Sequence, residues 1–160
     1  YVEIGSVEPL RGIVKAEELH TDKAPSRATQ IIKEGDLIIG TTRPYLKKFA
    51  IVTSEYDGCV CSSGFQVIAA NKNYNLNFLY EYLHTYLAIN QFEFYMTGAL
   101  YPAITNKDLK KILVPFPPLE IQNNIVQYIQ ILKEEMQSLM KQANKAHTIA
   151  KKIFETQIFE

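Results

Sequence analysis

Apolar and polar residues follow two different rules along this chain, and the rule changes near residue 116. Over residues 1–116 the apolar positions come in short runs separated by turn residues. Glu34-Gly35-Asp36 is a turn signal, and Leu37-Ile38-Ile39 after it reads as a buried strand. Residues 49–52 (Phe-Ala-Ile-Val) and 64–68 (Gly-Phe-Gln-Val-Ile) read as two more. Residues 1–7 and 12–16 are weaker strand candidates. Near Asn75 and Asn77 the spacing becomes helical: Leu79, Tyr82, Leu83, Tyr86 and Leu87 form a stripe, and either asparagine suits the N-cap. A second short helix is expected over residues 89–96, stopping at Gly98. A last turn begins at Asn106, with Leu109 and Ile112 pointing inward.

From residue 117 onward the pattern is helical throughout. Apolar residues fall at Ile121, Ile125, Ile129, Leu132, Met136, Leu139, Ala143, Ala146, Ala150, Ile153 and Ile158, mostly in alternating steps of three and four, as in a heptad seam. No Gly or Pro occurs after Pro118. Three prolines at 115, 117 and 118 make the join, since none suits a helix interior or a central strand. Pro118 suits the first turn of the C-terminal helix. A rod of about 60 Å, from ~1.5 Å per residue, with one narrow apolar stripe needs a partner helix or must fold back on its own domain. The expected architecture is therefore α+β. A domain over 1–116, with a curled, mostly antiparallel sheet and short helices, precedes one long C-terminal coiled-coil helix over 117–160.

Composition narrows the class. The 160 residues are 47% hydrophobic and 21% charged, which suits a globular chain. No apolar run approaches the ~20 residues of a bilayer span, and the first residues lack a secretory signal. The absence of an initiating Met points to a chain cut from something larger. Cys59 and Cys61 have no neighbouring His or Cys for a metal and read as two small thiols in a reducing cytoplasm. Net charge is zero, which argues against a protein that simply coats phosphate but leaves room for a local basic patch.

Catalytic chemistry is hard to find. The glycines at 5, 12, 35, 40, 58, 64 and 98 form no G-x-G for a methyl-donor cofactor. An amino-methyltransferase would also need Asp or Asn before a Pro-Pro-aromatic run, but Phe116 precedes Pro117-Pro118 and Leu119 comes next. Asp108-Leu109-Lys110 offers the acid-x-Lys half of a nuclease signature, and no Pro-Asp accompanies it. His20, His84 and His147 are scattered, with His84 expected at a surface or edge. No cofactor or metal is expected.

Binding chemistry is easier to find. The loop at 40–48 lies between two buried strands. It offers Thr41, Thr42, Arg43, Tyr45, Lys47 and Lys48: a guanidinium able to bond a guanine edge, hydroxyls, an aromatic ring and two cations for phosphate. Pro44 stiffens it. A second candidate runs from Thr97 through Tyr101-Pro102 to Asn106 and Lys107. Arg27, in a polar loop after Pro25, and Ser62 and Ser63, before Gly64, are further candidates. Each has a plain structural alternative: a solvated basic hairpin for the first, simple packing on the sheet for Tyr101 and Pro102.

Taken in order, Pro25-Ser26-Arg27-Ala28, Gly35-Asp36-Leu37-Ile38, Thr42-Arg43-Pro44, Ser63-Gly64-Phe65, Gly98, Tyr101-Pro102-Ala103-Ile104, Asp108-Leu109 and the run from Val114-Pro115-Phe116-Pro117-Pro118-Leu119-Glu120-Ile121-Gln122 to Ile125-Val126 resemble the specificity subunits of type I restriction-modification systems. The resemblance covers nearly the whole chain. In that family two target-recognition domains, each with a long helix after it, make a full subunit. The helices pair antiparallel, set the spacing of two half-sites and dock the methyltransferase subunits. The resemblance implies that the Arg43 loop and the Tyr101 segment face double-stranded DNA. It also implies that Ile125, Ile129, Leu132, Met136, Leu139, Ala143, Ala146, Ala150 and Ile153 line a helix pair. This chain has one repeat, which leaves three readings: a half-subunit that homodimerises, the C-terminal segment of a fused methyltransferase or restriction-methyltransferase, or half of an ordinary subunit. The leading expectation is non-catalytic recognition of one half-site for an N6-adenine methyltransferase and endonuclease complex. A coiled-coil interaction module without DNA, and an enzyme, are the competing classes.

Overall fold

A computed structural model describes residues 1–159. The chain forms two compact units, Tyr1–Gln122 and Asn123–Glu160. The first unit is built around a three-stranded antiparallel sheet in the order β5-β4-β7, where β4 is Leu37–Gly40, β5 is Phe49–Ile51 and β7 is Phe65–Ile68. Every residue of β4 is buried, which explains its uninterrupted apolar run. Alternation sends Leu37 and Ile39 to one face and Ile38 to the other. Leu37 and Ile39 pack with Phe49, Leu79, Leu83, Ala88, Phe92 and Ile104. Ile38 packs with Val2, Val7, Ile32, Ala50, Cys61 and Phe65. The sheet is thus a middle layer with core on both faces.

The helical layer is α1 (Leu76–Leu83) and α2 (Tyr86–Tyr95). Asn75 caps α1, its Oδ1 accepting from the Asn77 N–H at 2.9 Å. The expected single stripe breaks at Thr85, whose hydroxyl caps a new helix. Tyr86 and Leu87 consequently lie outside the core, 72% and 52% exposed, and α2 buries Ala88 and Phe92 instead. His84, expected at a surface or edge, sits at the break. Its ring packs edge-on to Phe49 and against Tyr80, and Nδ1 lies 2.8 Å from the Tyr80 carbonyl.

The opposite layer differs from expectation in two places. Residues 1–7 are not one strand: a 3-10 turn at Ile4–Ser6 precedes a two-residue β1 (Val7–Glu8), which pairs with an equally short β2 (Gly12–Ile13). Two strands have no counterpart in the apolar pattern, β3 (Ala28–Ile31) and β6 (Val60–Ser62), which pair antiparallel with a register shift between Ala28 and Gln30. The strands therefore divide into ladders of two, two and three, each antiparallel. Cys61 lies in β6 and is buried, while Cys59 precedes the strand and is half-buried.

The short α3 (Asn106–Leu109) leads to the proline run and to α4, Leu119–Phe159. Pro118 stands just before α4, its carbonyl accepting from the Gln122 N–H at 3.1 Å. At ~1.5 Å per residue the 41 residues of α4 extend about 60 Å. Along it Ile125, Leu132, Met136, Leu139 and Ile153 are all exposed. Among the described residues no helix is long and apolar enough to cross a membrane.

Candidate nucleic-acid interface

Strand polarity gathers the polar loops at one end of the first unit. β4 ends at Gly40 opposite Phe65, the first residue of β7. β6 ends at Ser62 opposite Ala28, the first residue of β3. The segments just beyond these ends are residues 41–48, 63–64 and 25–27. Backbone hydrogen bonds then join them in series. The Ser63 N–H donates to the Arg27 carbonyl at 2.7 Å, and the Thr41 N–H donates to the Gly64 carbonyl at 2.9 Å. The Ile104 N–H donates to the Thr41 carbonyl at 3.0 Å, and the Arg43 N–H to the Pro102 carbonyl at 2.7 Å. Loops far apart in sequence thereby form one continuous edge.

Within this edge Arg43 has φ 49° and Lys47 φ 53°, left-handed conformations that flank a 3-10 turn at Pro44–Leu46. The turn buries Pro44 and leaves Tyr45 38% exposed. The Arg43 guanidinium lies over the Tyr101 ring, 5.5 Å from its centroid, and its Nη2 donates to the Leu100 carbonyl at 3.3 Å. Thr97 and Ala103 exchange backbone hydrogen bonds of 3.0 and 2.9 Å, which close the 97–103 loop. Gly98 turns within it at φ 98°. Thr105 caps α3, accepting from the Asp108 N–H at 3.1 Å, so Asn106 and Lys107 come directly after the cap and are exposed.

Several expected contact residues also bond within the fold. The Lys47 ammonium donates to the His84 carbonyl at 2.8 Å, and Lys48 donates to the Val7 carbonyl. Both charges are anchored on the protein. The Ser62 hydroxyl is buried and accepts from the Gly64 N–H at 3.2 Å, which shapes the β6–β7 turn. The Thr41 hydroxyl donates to the Gly64 carbonyl at 2.9 Å. Thr42 is half-buried and bridges to Ala103. Arg27 and Ser63 remain exposed. Leu100, inside the expected segment but not singled out as a contact, is 81% exposed beside Tyr101 at 74%. Its only signal in the sequence is an apolar residue where a loop usually carries polar ones.

The acid of the acid-x-Lys run has a structural use, and its partner is Lys111, not Lys110. Asp108 accepts from Lys111 at 2.7 Å and from the Thr105 hydroxyl at 2.7 Å. These bonds, Lys111 first, hold its carboxyl below the usual carboxylate range. Lys111 also lies over the Tyr95 ring at 5.3 Å. No group of three or more metal-binding side chains occurs among the described residues.

The profile of the family described as type I restriction modification DNA specificity domain matches residues 11–146. The chain belongs to this family. It is similar to the EcoDI specificity subunit of Escherichia coli, 34% identical over 116 residues, covering 70% of this chain and 24% of that protein. It is 26% identical over 128 residues to a putative MjaX specificity subunit of Methanocaldococcus jannaschii, covering 80% and 29%. Among solved structures, the HsdS subunit of Thermoanaerobacter tengcongensis superposes with a TM-score of 0.77 at 40% identity, covering 87% of this chain and 36% of that one. A chain from a type I R-M system studied for complex assembly and conformational transition gives 0.79 at 38% identity, covering 91% and 38%. This specificity domain thus spans roughly a quarter of the length of the curated relatives and over a third of the solved chains.

Proposed function

We propose that this specificity domain reads one half-site of a bipartite DNA target for a type I restriction-modification complex and performs no catalysis itself. The observation that carries the reading is the edge at which backbone hydrogen bonds join the segments of Arg27, Ser63 and Arg43 to residues 102–104, with the Arg43 guanidinium over Tyr101 and the exposed Asn106 and Lys107 following in sequence. Cations and hydroxyls suit phosphate, while a rigid aromatic ring suits contact with bases. Residues 1–116 form the reading part, and residues 117–160 the spacer. The exposed side chains of Ile125, Leu132, Met136, Leu139 and Ile153 pair with the helix of a second repeat or a second copy, and so set the half-site distance. A methyltransferase subunit, or a methyltransferase domain in the same chain, supplies the chemistry.

The test is selection from a randomised duplex library by the complex assembled with its methyltransferase. One half of the selected sequence should change when this domain is exchanged for another. Arg27→Ala with Lys107→Ala should weaken binding to all sequences, because phosphate contacts carry no sequence information. A complex that selects the same sequence after the exchange would refute recognition by this domain. Binding left unaltered by the double substitution would refute the interface.

A further inference from the structure

Leu100 is the most exposed large apolar residue of the recognition edge, yet the loop that carries it is fixed from two directions. Thr97 and Ala103 close its base, and Ile104, 3% exposed, anchors it in the core. From the other side the Arg43 N–H holds the Pro102 carbonyl at 2.7 Å, and Arg43 Nη2 holds the Leu100 carbonyl at 3.3 Å. Gly98 sits at φ 98°, and a Cβ there would stand 3.0 Å from the Tyr101 carbonyl oxygen. An isolated exposed leucine needs no explanation. An exposed leucine held at a fixed position among groups suited to DNA suggests apolar contact with it. Leucine has no hydrogen-bonding group, and the thymine 5-methyl is the apolar feature of the major groove.

Building on the DNA-reading assignment, we infer that Leu100 is a specificity-determining residue, its isobutyl group packing against the 5-methyl of one thymine in the half-site. Arg43 is a positioning residue for it. With its face on Tyr101 and Nη2 on the Leu100 carbonyl, the guanidinium fixes where the leucine stands.

The experiment starts from the sequence selected by the assembled complex and replaces each thymine in turn by deoxyuridine, which removes only the methyl. One replacement should weaken binding roughly 3- to 5-fold, the worth of about one buried methyl group. Leu100→Ala should bind the thymine and deoxyuridine duplexes equally. Arg43→Gln should lose most of the same discrimination, and Arg43→Lys, which keeps a cation and a donor, should recover part of it. Methyl sensitivity that survives in Leu100→Ala, or a selected half-site with no methyl-sensitive thymine, overturns the assignment of Leu100 and leaves DNA reading standing. A changed preference at a different base pair in Arg43→Gln overturns the positioning role, because the guanidinium would then be reading a base. Failure of the wild-type complex to select any sequence overturns DNA reading itself, and this assignment with it.

Discussion

Replacing Gln122 by Leu should destabilise the first unit by about 2–4 kcal/mol, although the change nearly preserves volume and lies in the first turn of α4. Gln122 is 1% exposed. Its Oε1 accepts from the Asn75 N–H at 2.8 Å and its Nε2 donates to the Pro117 carbonyl at 2.8 Å. One amide thus joins the cap of α1 to the proline run. Leucine removes both bonds and leaves a donor and an acceptor without their partner. Each lost bond is worth roughly 1 kcal/mol where water replaces it and up to ~3 where water cannot enter. Added apolar burial returns part of this, on the order of 1 kcal/mol. The assay is urea denaturation monitored by tyrosine fluorescence. The chain has no Trp, and its tyrosines other than Tyr128 lie in the first unit. With a slope of ~2 kcal/mol per molar, the midpoint should fall by roughly 1–2 M. Gln122→Glu gives an internal check. It keeps the acceptor for Asn75 but buries a carboxylate facing the Pro117 carbonyl, so its stability should rise as the pH falls and the carboxyl gains a proton to donate. A Gln122→Leu loss below ~0.5 kcal/mol would refute the reasoning.

Gly98→Ala should cost about 1–3 kcal/mol in the same urea experiment, because a side chain at φ 98° meets the Tyr101 carbonyl; unchanged stability would contradict that loop conformation. Burial pushes the Cys61 thiol up to about 11 and the Tyr80 hydroxyl up to about 12. Both favour the protonated form in the fold, so thermal stability should be fully present below pH 9 and decline as the pH rises through 11 toward 12. A flat melting temperature over that window would contradict both burials. At pH 8 a thiol reagent should modify Cys59 first and Cys61 only on unfolding, with equal rates counting against the β6 packing. Met136→Lys with Leu139→Lys should lower the mass of the helix-paired species in sedimentation equilibrium while leaving the tyrosine-detected melt unchanged; an unaltered mass would exclude this stripe from pairing.

How far each element is legible in the sequence depends on how local its signal is. Leu37-Ile38-Ile39 announces a strand because both its faces are buried, and α4 announces itself by a long stripe without glycine or proline. β3 escapes notice because it alternates half-buried and exposed residues without a strongly apolar run, and its meaning comes from pairing with β6 some thirty residues later. The break between α1 and α2 is hidden because Tyr86 and Leu87 continue the stripe in spacing, while the Thr85 cap ends it in fact. The candidate site divides in the same way. Composition flags the 40–48 loop, but only the fold reveals that Lys47 and Lys48 end on the carbonyls of His84 and Val7. The most useful pairing, Arg43 with Leu100 and Tyr101, spans a separation of 57 residues between Arg43 and Leu100, beyond the reach of any local pattern.

Zero net charge takes on a sharper meaning once those lysines are placed. Non-specific DNA affinity grows with the number of phosphates a protein neutralises. This domain anchors two of its loop cations on its own carbonyls and pairs Lys111 with Asp108. The two loop ammonium groups are therefore held where they set the shape of the edge. With no excess of positive charge over the whole chain, affinity for arbitrary DNA is low, whereas contacts to base edges depend on shape. Under the DNA-reading assignment, specificity is a ratio, and it improves when its non-specific denominator shrinks. Under the same assignment, a second half-site and a methyltransferase linked through the long helix would supply the remaining phosphate affinity. A neutral reader on a long, stripe-bearing helix suits a half-site module whose weak binding alone limits capture of isolated half-sites.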